Sequence, residues 1–211
     1  MATQIHRQPG SSGGPAAPWD RERLRDLLAT RTFKRGRFTL ASGRESGIYF
    51  NCKTTMLHPE GAALCARGLL EILGQLEVDY IGGLEMGAVP LLSVVSAFSA
   101  EAGAPIPSFF VRKTSKKYGA QLRIEGMDDL GGETLQDRRV VLIDDVATSG
   151  GSILQAADEV AAAGGHMAHA IVILDREEGA AARLETRGIT LHALFTASDL
   201  GVTEADRAPL A

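Results

Sequence analysis

Between residues 79 and 195 the chain alternates short apolar runs with longer stretches of helical character, and this alternation constrains the fold more than any other feature. "DYIGGL", "PSFFVRK", "RRVVLIDDV", "HAIVILDRE" and "ITLHALF" read as strands. "VPLLSVVSAFSAEAG", "SILQAADEVAAAG" and "GAAARLETRG" read as helices, the first stopped by Gly103. Only the stretch after "PSFFVRK" breaks the rhythm, staying polar to about Gly126. Strands separated by helices imply parallel βαβ units with right-handed crossovers. Their almost continuous apolar character fits a sheet covered on both faces. The expected fold class is therefore α/β, a central parallel sheet flanked by helices.

Upstream, Asp20 is placed to cap a helix bearing Leu24, Leu27 and Leu28 on one face. "RFTLASGRESGIYFNC" reads as two short strands about a Ser-Gly turn, and Pro59 suits the first turn of a further helix. The first 18 residues are rich in Gly, Pro and Ser and are expected to form a flexible tail, without the apolar core of a secretory signal. Residues 19–211 are then one domain, with a small N-terminal hood from about 33 to 56.

Charge and composition exclude some function classes. With 22 basic against 26 acidic residues, the net charge of -4 argues against a general nucleic-acid binder. No apolar run reaches membrane-spanning length. Two cysteines, Cys52 and Cys65, are too few for a disulfide framework and read as reduced core thiols, which implies a cytoplasmic protein.

In an open parallel sheet, ligands bind beyond the carboxyl ends of the strands. Four segments fall there: residues 85–87, 112–117, 144–152 and 175–178. The third, in "VVLIDDVATSGGS", carries the most chemistry. Gly150 and Gly151 allow a tight turn and close approach to a ligand, Thr148, Ser149 and Ser152 bring hydroxyls, and a helix opens at about Ser152. Free N–H groups at that helix start favour an anion. A phosphate would not settle beside two bare carboxylates, so Asp144 and Asp145 need another task. Carboxylates accept hydrogen bonds from sugar hydroxyls or hold Mg²⁺, directly or through its waters. Acids followed by an anion cradle describe a site for a sugar phosphate. No G-x-x-x-x-G-K-[ST] and no G-x-G-x-x-G after a strand points to a nucleotide or dinucleotide fold.

This run resembles the phosphoribosyl pyrophosphate (PRPP) motif of the type I phosphoribosyltransferases. The resemblance implies that Asp144 and Asp145 hold the ribose hydroxyls and that Val146, Ala147, Thr148, Ser149, Gly150, Gly151 and Ser152 surround the 5-phosphate. "FFVRKTSKKYGAQLRIEG" resembles the closing loop and I-E-G tail of orotate phosphoribosyltransferases. On that pattern Arg112, Lys113 and Lys116 meet the pyrophosphate, with Lys116 expected to have the largest catalytic effect. Tyr118 stands where a histidine is usual. The family loop acts in the partner subunit's site, so a homodimer is implied. "ILDREEG" makes Arg176 the residue facing orotate, with Thr148 at the orotate carboxylate. Tyr49 and Phe50 match the aromatic pair of the hood. Lysines found in some members at the positions of Ala41 and Gly87 are missing.

The implied reaction joins orotate to PRPP, with Mg²⁺ as cofactor and no covalent nucleophile. A purine phosphoribosyltransferase shares residues 144–152, and a non-catalytic PRPP-sensing regulator shares the fold. The basic loop and Arg176 favour orotate.

Overall fold

The computed structural model describes residues 19–39, 45–114, 123–127, 134–203 and 206. The expected α/β architecture is found. Helix α1 (Arg21–Arg31) begins where Asp20 Oδ1 accepts the N–H of Arg23 at 2.9 Å, and buries Leu24, Leu27 and Leu28. Strands β1 (Phe33–Thr39) and β2 (Glu45–Phe50) pair antiparallel as the hood. A single helical turn, α2 (Lys53–Met56), follows directly, and α3 (Pro59–Leu73) starts with proline in its first turn. No local pattern announces α2, because four residues are too short to show a period.

Then come β3 (Tyr80–Gly82), α4 (Val89–Glu101), β4 (Phe110–Val111), β5 (Ile124–Glu125), β6 (Arg139–Ala147), α5 (Gly151–Ala162), β7 (His166–Asp175), α6 (Ala180–Glu185) and β8 (Thr190–Thr196), closed by a 3₁₀ turn at Ser198–Leu200. Strands β3, β6, β7 and β8 lie in that order, all parallel. The chain leading into β4 runs alongside β3 through bridges at Ile81–Ser108 and Leu84–Val111. Strand β5 was not foreseen: it pairs antiparallel with β4, and the Arg112 N–H donates to Arg123 O at 2.8 Å, so these two residues sit side by side on the rim.

Both sheet faces are covered, as the apolar strands required. Val141, Ile143, Ile171 and Ile173 face the layer of α1, α3 and α4. Val140, Leu142, Ala170 and Val172 face α5 and α6. Each of these valine, leucine and isoleucine side chains contributes roughly 1.5–3 kcal/mol by leaving water. At the opposite end of the sheet from the expected site, Arg139 holds Asp79 and Glu77, both at 2.8 Å, and so ties the entry to β3 against β6. Among the described residues, no helix is long and apolar enough to cross a membrane.

Candidate active site

The parity of β6 aims the acid pair. Asp145 continues the series Val141 and Ile143, on the face shared with the hood and α3, while Asp144 continues Val140 and Leu142. Both carboxylates are buried at the rim. Each folds back onto the chain: Asp144 Oδ1 accepts the N–H of Asp145 at 2.9 Å, and Asp145 Oδ1 accepts that of Val146 at 3.0 Å. Burial first, and the charge of Asp145 second, push the Asp144 carboxyl well above the usual carboxylate range.

The residues after β6 turn as the sequence implied. Gly150 adopts φ +73°, a left-handed conformation that few side-chain-bearing residues accept, and α5 begins at once at Gly151, one residue before the expected start. No side chain caps this end of α5, so its first N–H groups are left for a ligand. Residues 144–153 line one cavity of about 380 Å³ together with Lys53, residues 84–87 and Lys113. All nine candidates from Asp144 to Ser152 are thus brought together.

The loop after β3 forms the facing wall. Gly87 packs so closely on the acids that a Cβ there would lie 2.4 Å from Asp144 Oδ1 and 2.7 Å from Asp145 Oδ1. Glu85 Oε1 accepts the N–H of Lys113 at 2.8 Å, which joins this loop to the start of the basic segment. Lys113 lines the cavity. Arg112 does not: its guanidinium reaches Glu125 at 3.3 Å, across the β4–β5 ribbon. Lys116 and Tyr118 lie outside the described residues, as does Ala41.

Arg176 follows β7 and is buried. Its backbone N–H bonds to Ala147 O at 2.9 Å, which fixes it beside the acid-bearing strand. Its guanidinium pairs with Glu178 and lies 5.4 Å from the ring centre of Phe50. Its Nε is buried and has no hydrogen-bond partner among the described residues. Phe50 itself stacks on Phe33 at 5.1 Å. Tyr49, the other half of the expected aromatic pair, is 39% exposed and contacts Phe38. Alternation along β2 sends the two rings to opposite faces, so Phe50 and not Tyr49 meets Arg176.

Sequence reasoning missed one residue of the cavity. Lys53 opens α2, and its Nζ donates to Asp145 Oδ2 at 2.7 Å. Partial burial opposes its charge, but the hydrogen bond and charge of Asp145 outweigh that and hold its ammonium above the usual lysine range. Its near neighbour Cys52 is a free, buried thiol, as is Cys65, and burial raises both, Cys65 to about 12. The only advance signal for Lys53 was its place three residues after Phe50, at the end of a strand expected to approach the site.

The chain is similar to known proteins in sequence and in fold. The family model for the phosphoribosyl transferase domain matches residues 54–195. The orotate phosphoribosyltransferase of Rhodopseudomonas palustris (strain BisB18) is 49% identical over 179 residues, covering 85% of this chain and 95% of that one. Among solved structures, Mycobacterium tuberculosis H37Rv orotate phosphoribosyltransferase in complex with Fe(III) dicitrate superposes with a TM-score of 0.74 at 32% identity, covering 86% of this chain and 99% of that chain. The same enzyme in complex with PRPP gives 0.70 at 30% identity over the same shares. An acid pair and an uncapped helix start in one cavity, on a fold and sequence shared over most of both chains, lead to one conclusion: the chain belongs to the orotate phosphoribosyltransferase family.

Proposed function

We propose that this protein transfers the phosphoribosyl group of PRPP to orotate, giving orotidine 5′-monophosphate and pyrophosphate, a step of pyrimidine nucleotide synthesis. The observation that carries the reading is the continuity of Asp144, Asp145, the Gly150 turn and the uncapped start of α5 within one cavity. The acids accept the ribose hydroxyls, and the N–H groups and hydroxyls of residues 148–152 take the 5-phosphate. In the reaction the C1–O bond to pyrophosphate breaks, its electron pair leaves with the pyrophosphate, an orotate ring nitrogen bonds to C1, and the proton that nitrogen carried passes to the departing pyrophosphate or to water. The transition state has oxocarbenium character. Orotate is already an anion, so no strong base and no covalent nucleophile is needed. Positioning, leaving-group stabilisation and exclusion of water carry the rate.

Arg176 serves orotate in this reading. A buried guanidinium with an unused Nε, braced against Phe50, suits an anionic planar base better than a neutral purine. Thr148, which lines the cavity, supplies a hydroxyl to the orotate carboxylate in this reading. Lys113 and, from the segment beyond it, Lys116 and Tyr118 meet the pyrophosphate, with Arg112 released from Glu125 to join them. The segment acts in the partner subunit of a homodimer, as the family resemblance implies.

The donor set fits Mg²⁺. Among the described residues no three His, Cys, Asp or Glu side chains gather around a point, so an all-protein cage is not on offer. Two buried carboxylates beside a phosphate site do suit a cation that keeps several waters and shares phosphate oxygens. When bound, Mg²⁺ supplies charge neutralisation for the pyrophosphate, and Asp144 and Asp145 are the residues to hold it. Free buried thiols at Cys52 and Cys65 support a cytoplasmic location.

Steady-state assays with orotate, adenine, guanine and xanthine, each with and without Mg²⁺, test the reading. Turnover of orotate alone, and only with Mg²⁺, is expected. Equal or better turnover of a purine would overturn it, and PRPP binding without turnover of any base would favour the regulator.

A further inference from the structure

Among its described lining residues the cavity has three carboxylates, Glu85, Asp144 and Asp145, and only two cations, Lys53 and Lys113. The loop between β3 and α4 cannot add a third at position 87. A Cβ on Gly87 would meet Oδ1 of both acids, and those are the oxygens tethered by the N–H groups of Asp145 and Val146. The carboxylates therefore cannot swing aside without giving up those bonds. A cation for this part of the cavity has to come from another element, and the hood supplies it.

Lys53 reaches the cavity from α2, on the face to which strand parity turns Asp145. Its side chain is 46% exposed, and among the described residues its Nζ makes one hydrogen bond, to Asp145 Oδ2. An ammonium has three donors, so two remain for a ligand. The 5-phosphate belongs at the other part of the cavity, at the start of α5. The group attached at C1 of the ribose then lies on the side of the acids, Gly87 and Lys53.

We infer that Lys53 binds the diphosphate of PRPP while still held by Asp145, and is the hood's cation for the leaving group. This rests on the phosphoribosyl-transfer reading above. The Asp145 carboxylate aims the ammonium into the cavity. As negative charge builds on the departing pyrophosphate, the same ammonium offsets it. Its carboxylate partner restricts this lysine before substrate arrives.

The test compares two ligands. Orotidine 5′-monophosphate has the ribose and the 5-phosphate of PRPP but no diphosphate. Binding of each to wild type, Lys53→Met, Lys53→Gln and Lys53→Arg is measured by titration calorimetry, with kcat and KM for PRPP alongside. Loss of one charge-assisted contact should weaken PRPP binding about 10-fold or more in Lys53→Met. Orotidine 5′-monophosphate has no diphosphate and loses no contact, so it should bind within about twofold of wild type. Lys53→Gln retains a donor for Asp145 without the charge, so it should fold even if the Met variant does not, and should still lose PRPP. Lys53→Arg should recover most PRPP affinity and kcat. Equal losses for both ligands would reduce Lys53 to a positioning residue for Asp145 and overturn the inference, as would unchanged PRPP binding. A wild type that fails to bind PRPP at all would instead refute the proposed function.

Discussion

Glu85 and Lys113 are joined side chain to backbone: the Glu85 carboxylate accepts the Lys113 N–H at 2.8 Å. The backbone of Glu85 in turn donates to Val111 O at 2.8 Å. The cavity wall after β3 is thereby fixed to the root of the basic segment, at the point where that segment leaves the sheet. Glu85→Ala should lower kcat/KM for PRPP about 10-fold, the scale of one hydrogen bond to a charged group. Because the bond is exposed, the thermal midpoint should hardly move. Steady-state kinetics beside a melting curve checks both halves, and an unaltered kcat/KM would show that the tie has no bearing on the site.

Gly87 tolerates no side chain against the acid pair, since both oxygens it would strike are tethered to backbone N–H groups. Gly87→Ala should therefore leave a folded protein whose acids or loop are displaced by several tenths of an ångström or more. The cost should reach about 100-fold in kcat/KM, as misplacement within a site commonly does. Circular dichroism with kinetics separates this outcome from simple unfolding. Wild-type activity in this variant would mean that the wall is free to retreat.

Asp144 makes a prediction about pH. Its folded carboxyl is raised above the unfolded value by burial and by Asp145. Between those two values the native state binds the extra proton, so this group's contribution to stability falls as pH rises. In ligand-free protein with divalent cations chelated, Asp144→Asn removes that cost. It should be more stable than wild type at pH 8 by about 1–3 kcal/mol, with little difference at pH 4, because a buried uncompensated charge is lost. Asp79 and Asp206 are lowered by their arginine partners and tilt the profile the other way, but equally in both proteins, so the difference isolates Asp144. Denaturant titrations from pH 4 to 8 decide it. The same variant should bind PRPP poorly.

Arg176→Lys keeps the charge but loses the planar fork and the contact with Phe50. KM for orotate should rise about 10- to 100-fold, in line with a lost charged hydrogen bond or two, while KM for PRPP stays close to wild type. A parallel rise in both constants would move Arg176 out of the base site.

Lys116 lies beyond the described residues, and its part in the reaction is tested by kinetics alone. With Mg²⁺ saturating, Lys116→Ala should cost about 100-fold or more in kcat, by analogy with the loss of one oxyanion donor.

The strand–helix order was legible because each element carries its own local signal. β6, β7 and β8 are long apolar runs, Asp20 and Pro59 mark helix starts, and the acids with Thr148 to Ser152 sit on one continuous stretch. The elements that escaped reading were α2 and β5, too short for any period. Tyr49 and Phe50 match the family's aromatic pair, and strand alternation, which local pattern alone does not orient, turns Phe50 toward Arg176.

The sequence by itself determined the sheet, its covered faces and the order of chemical groups from the acids to the anion cradle, since all of these depend on contacts within a few residues. Tertiary structure alone decided which cation meets the acids. Asp145 and Lys53 are 92 residues apart, and their 2.7 Å contact exists only because the hood folds over the rim of β6. It likewise decided that Gly87 must be bare, for the atoms that forbid a side chain there belong to a strand more than fifty residues further along. Neither fact leaves a mark in local pattern, because charge pairing and close approach are properties of surfaces brought together by packing.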